Sequence, residues 1–101
     1  MRLLSFNVNE QTINKDASCN FGNIVKGTRG YLFAGFTFDA SWSGLTKMAV
    51  FNDTYPVRLD SDGKCQIPDC VLDADSFTVR ITGLAKNKKV TTNNITVMQV
   101  R

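Results

Sequence analysis

The stretch Tyr31–Phe51, YLFAGFTFDASWSGLTKMAVF, decides how this chain is read, because most of its aromatic residues and its only tryptophan lie there. It divides into two apolar strands, 31–38 and 46–52, joined by the compact loop DASWSGL at 39–45. On the first strand Tyr31, Phe33 and Gly35 share one face and Leu32, Ala34, Phe36 and Phe38 the other, since successive strand side chains point to opposite sides. Both faces are largely apolar, so this strand is expected to be central and covered on at least one side. On the second, Met48, Val50 and Asn52 oppose Lys47, Ala49 and Phe51. The two are expected to form the central strand pair of the fold, with Trp42 anchoring the corner between them.

The flanking sequence continues the same period. Leu4, Phe6 and Val8 alternate with Leu3, Ser5 and Asn7, and a short strand is expected near Gln11–Ile13. A weaker strand, interrupted at Gly22, is expected over 17–25. After 52 come a strand at 55–59, whose Pro56 argues for an edge position or a strand start, and the turn Asp60-Ser61-Asp62-Gly63, expected to close a hairpin. Cys65-Gln66-Ile67 forms a short strand, and Pro68 starts a single helical turn near 68–72. Phe77, Val79 and Ile81 point inward against Thr78, Arg80 and Thr82. A basic hairpin tip at 85–89 leads to strands at 90–92 and 95–100. The chain is therefore expected to be a single all-β domain over 1–101, an immunoglobulin-like β-sandwich of about eight or nine short antiparallel strands.

Composition narrows the chemistry. The chain has 101 residues, 43% hydrophobic and 21% charged, with a net charge of +3. It has no histidine, which removes the commonest general base and the usual transition-metal ligand together. Cys19, Cys65 and Cys70 are an odd number at spacings that match no zinc pattern, and they are expected to be reduced, mostly buried thiols of a protein made in cytoplasm. No signal peptide and no membrane span are read in the sequence. The charge permits a polyanionic partner without requiring one, and nucleic acid is not the expected partner.

Candidate sites each have a plainer interpretation. Trp42 in SWSG is either an exposed contact residue or, as the sequence favours, a core cap whose indole N–H meets a loop carbonyl. Asp60–Gly63 begins like a calcium loop, but Lys64 follows and no closing glutamate does, so a turn is preferred. Lys86, Lys88 and Lys89, with Arg80, Lys26 and Arg29 nearby in a folded chain, offer a basic patch; a charged tip also simply keeps a β-protein soluble. Carbohydrate binding requires Tyr31, Trp42 or Tyr55 to gather on one surface. No set of residues spells out a reaction, so no enzyme activity, cofactor or metal is expected. The residues singled out for protein contact are Trp42, Ser43, Lys86, Lys88 and Lys89.

Several segments, in order, carry a resemblance. They are Phe6, Val8, Gln11 and Ile13; the strand YLFAGFTFD; Trp42, Gly44, Lys47, Ala49 and Phe51; Cys65, Ile67 and Pro68 with Val71-Leu72; Phe77, Val79 and Gly83; and Thr91-Thr92-Asn93. Together they resemble the small immunoglobulin-like domains of virion proteins from phages of Gram-positive bacteria, such as the N-terminal domain of baseplate upper proteins. The resemblance implies a non-enzymatic virion component that docks, in multiple copies, onto other virion proteins of the capsid or tail. Because the sequence stops at Arg101, a standalone accessory is expected: a capsid decoration protein, a head-fibre base or a small tail or baseplate component. A phage-encoded inhibitor of a host enzyme or defence system is the alternative.

Overall fold

The computed structural model describes residues 1–101. Nine strands follow in order: β1 Arg2–Asn9, β2 Thr12–Lys15, β3 Leu32–Phe38, β4 Thr46–Phe51, β5 Tyr55–Arg58, β6 Lys64–Gln66, β7 Ser76–Ala85, β8 Lys88–Thr91 and β9 Ile95–Met98. Two single 3₁₀ turns, Ala40–Trp42 and Asp69–Val71, are the only helical pieces. The second is the expected turn after Pro68. The first lies within what was expected to be a plain loop.

The strands form two sheets, ordered β2-β1-β3-β6 and β5-β4-β7-β8, with β9 also pairing to β7. Their inner faces share one core, in which Leu4, Phe6, Ala34 and Phe36 of the first sheet meet Ala49, Phe51, Phe77, Val79 and Ile81 of the second. Alternation placed these side chains correctly. Phe6 stacks on Phe36 with centroids 5.2 Å apart and meets Phe21 edge-on at 5.3 Å; such pairs add about 0.5–1.5 kcal/mol each beyond area burial.

Four expectations about connection are corrected. β3 and β4 do not pair; they belong to opposite sheets, and the 39–45 loop carries the chain across the core. The Asp60–Gly63 turn likewise crosses from β5 in one sheet to β6 in the other and closes no hairpin. Its geometry is still as read: the Asp60 carboxylate accepts the N–H groups of Asp62 and Lys64 at 2.9 Å, and Gly63 has φ +75°. A Cβ there would lie 2.8 Å from the Phe36 carbonyl oxygen, so only glycine fits.

The strands are also not all antiparallel. β1 and β3 run parallel, from Arg2↔Leu32 to Val8↔Phe38. A parallel neighbour needs a long return, and β2 with the segment 16–31 supplies it. Within that return the expected strand over 17–25 is absent, apart from an isolated bridge between Val25 and Val100. Local bonding competes it away. Asn20 turns its side-chain oxygen onto the Gly22 N–H at 2.8 Å, and Asn23 sits at φ +56°. The Arg2 guanidinium then donates to the carbonyls of Asn20, Gly22 and Asn23 at 2.7–3.2 Å.

Candidate interaction surfaces

Trp42 is held at one end of the two-layer stack. Asp39 organises the approach: its carboxylate accepts from the Ser41 hydroxyl at 2.6 Å and from the Glu10 N–H at 3.2 Å. The indole Nε1–H then donates to the Glu10 carbonyl at 2.8 Å, tying the sheet-to-sheet crossover to the β1–β2 turn. The ring packs over Gly83 of β7, where a Cβ would meet ring carbons at 2.7 and 3.0 Å. Trp42 is 1% exposed, so its ring presents no surface and it supports the corner from inside. With Trp42 buried, the three aromatics required for a sugar platform do not gather, although Tyr31 and Tyr55 are exposed.

The other residues singled out fall on separate surfaces. Lys88 and Lys89 line a groove of about 380 Å³ with Glu10, Gln11, Ser41 and Val90. Ser43 lies in a different recess of about 290 Å³, with Asp39, Lys47, Asp60 and Asp62. Lys86 stands at the hairpin tip, exposed. Lys26, Arg29 and Arg80 do not extend the basic tip, because each is paired elsewhere, to Asp75, Asp73 and Asp53. Arg29 is forked onto Asp73 at 2.8 and 2.9 Å, a hydrogen bond that raises its pKa further. The Lys26 hydrogen bond holds the Asp75 carboxyl below its usual range.

The two lateral edges of the stack are finished differently. On one, β2 faces β8 and β9, which are two halves of a single edge strand broken at Thr92–Asn94. The break is used. Thr92 Oγ1 accepts the Ile81 N–H at 3.0 Å, and the Asn93 side-chain oxygen reaches across to the Ile13 N–H of β2 at 3.0 Å. The Asn93 N–H donates to the Gln11 carbonyl and the Gln11 side chain to the Thr91 carbonyl, so the two sheets are stitched together.

On the other edge β5 faces β6, and an apolar groove of about 500 Å³ opens beside them. Leu3, Phe33, Val57 and Leu59 line it, with Arg58 and Lys64 at its margin. Both cations are exposed and neither has a carboxylate in ion-pair reach. Cys65 forms part of the wall as a neutral thiol, its pKa pushed up to about 12 chiefly by burial and further by Asp60. Sequence reading missed this surface, because its residues are scattered from position 1 to position 66. The one local signal was Pro56, which marked β5 as an edge. No group of three or more histidine, cysteine, aspartate or glutamate side chains converges as a metal site. No family model, curated protein or solved structure matches the chain.

Proposed function

We propose that this chain is a non-enzymatic phage virion protein, an immunoglobulin-like β-sandwich that docks in multiple copies onto other proteins of the particle. Capsid decoration, a head-fibre base and a small tail or baseplate component are the roles this reading covers. The observation that carries it is the unequal finish of the two lateral edges. One is stitched by side-chain hydrogen bonds, while the other leaves an apolar groove flanked by unpaired cations. Exposed apolar surface at a sheet edge is costly unless a partner covers it. The ordered succession of motifs from Phe6 to Asn93 supports the phage-virion part of the proposal.

The test is to add the purified protein to particles that lack it and measure co-sedimentation, with copy number from mass spectrometry of native particles. Uptake to many copies per particle is expected. Failure to bind any particle, together with early expression and absence from purified virions, overturns this reading in favour of an inhibitor of a host protein.

A further inference from the structure

We propose that the open β5/β6 edge is the docking groove, and that its occupant is an extended acidic segment of a partner virion protein, with an apolar side chain seated over Leu3, Phe33 and Val57 and carboxylates on Arg58 and Lys64. This rests on the virion-docking reading above.

Size, lining and charge each point to this occupant. A space of about 500 Å³ takes a few side chains and not a domain. Its floor is apolar, so an aliphatic or aromatic side chain fills it favourably. The margin carries unspent positive charge. Arg58 and Lys64 lack partners, whereas the one carboxylate at the groove, Asp60, is already accepting two backbone N–H groups at 2.9 Å. A carboxylate-bearing ligand is the complement.

Main-chain pairing is blocked at Pro56 and Lys64. Pro56 has no N–H to donate from β5, and the Lys64 N–H and carbonyl of β6 are both engaged by Asp60. Recognition therefore leans on side chains. A second copy of this chain is a poor occupant, because it would bring its own Arg58 and Lys64 against the same charges.

The probe is a fluorescein-labelled peptide of alternating Asp and Leu, with Lys–Leu and Asp–Ser peptides as controls, followed by anisotropy. The wild-type protein is expected to bind the Asp–Leu peptide and neither control. R58E/K64E is expected to lose at least about tenfold in affinity, or about 1.4 kcal/mol, and to gain the Lys–Leu peptide. Both side chains are exposed, so an unchanged melting temperature checks that the variant is folded. Equal binding of the Asp–Leu peptide by wild type and R58E/K64E overturns the proposal, as does loss of binding in K86E/K88E/K89E alone, or dimerisation through this edge in sedimentation.

Particle uptake separates the two levels. Particles that take up wild type and R58E/K64E alike overturn the groove assignment and leave virion docking standing. Peptide binding that depends on Arg58 and Lys64, with no uptake by any particle, upholds the groove's chemistry and overturns the virion reading.

Discussion

The β2/β9 edge and the β5/β6 edge solve the same problem in opposite ways. Each is a place where two sheets end side by side with unpaired backbone groups and apolar side chains near solvent. At the first, the break at Thr92–Asn94 frees polar groups that bridge to β2. At the second, Pro56 blunts β5 and the Asp60–Gly63 turn ties the strands together at one end through the Asp60–Lys64 hydrogen bonds, while an apolar groove stays open beside them. The difference teaches that a short polar interruption can do more for a sheet edge than a continuous strand. It also divides the molecule into a side that maintains the fold and a side available to a partner.

Variants can break or sharpen that division. The largest loss is expected from Trp42→Ala, which empties a fully buried site and removes the tie to the Glu10 carbonyl above the stitched edge. A cost of about 3–5 kcal/mol is expected from urea denaturation. Next come the edges themselves. Asn93→Ala leaves the Ile13 N–H without its acceptor and Thr92→Val does the same to Ile81, each at about 1–3 kcal/mol. R58E/K64E on the open edge is expected to stay within about 0.5 kcal/mol of wild type. If the open-edge variant proves the more damaging, the division is wrong.

The cysteines report on the same contrast without changing the fold. The cysteines are not mostly buried as expected: only Cys65 is, Cys19 is half-buried and Cys70 is exposed on the 3₁₀ turn after Pro68. At about pH 8, Cys70 is expected to alkylate first and Cys65 last, since only an accessible thiolate reacts. Mass spectrometry of the labelled peptides reads the order. The sign of the linkage follows from the raised value. In the unfolded chain the Cys65 thiol ionises near its ordinary 9.0, while in the fold it holds its proton to about 12. The stability it contributes is thus complete below the lower value and declines as pH rises between the two. Cys65→Ala should flatten that part of the alkaline limb.

The smallest effect concerns the surface pair Lys26–Asp75. Asp75 titrates below its ordinary 3.8 in the folded state, so its contribution is present above that value and is lost as pH falls through the lowered one. Asp75→Asn should remove a shallow acid-side slope and leave neutral-pH stability nearly unchanged, because exposed ion pairs contribute little. Stability measured across the acid limb for both proteins checks this.

Much of the fold was legible from particular residues. Leu4, Phe6 and Val8, and again Phe77, Val79 and Ile81, announced their buried face through strict alternation, and all six are buried. Pro56 marked an edge, and Gly63 a turn needing positive φ. The surfaces were less legible. Trp42 was rightly suspected of being a core cap, but Ser43 lies in one recess, Lys88 and Lys89 in another, and Lys86 stands exposed at the tip. The groove at β5/β6 had no contiguous motif to find.

By itself, then, the sequence determined most of the strands, the one expected over 17–25 excepted, and which way their side chains face. Both follow from the local period of two, which a chain expresses without knowing its neighbours. Only the tertiary structure decided that β3 and β4 part into opposite sheets, that β1 and β3 run parallel, and that one lateral edge is stitched while the other stays open. Those choices rest on contacts between residues far apart in the chain, such as Ile13 with Asn93 or Leu4 with Ala34. The stretch Tyr31–Phe51 shows the boundary. Its faces were readable one residue at a time, but the fate of its two strands hung on a turn that sends the chain across the core, with Trp42 sealed beneath it against Gly83.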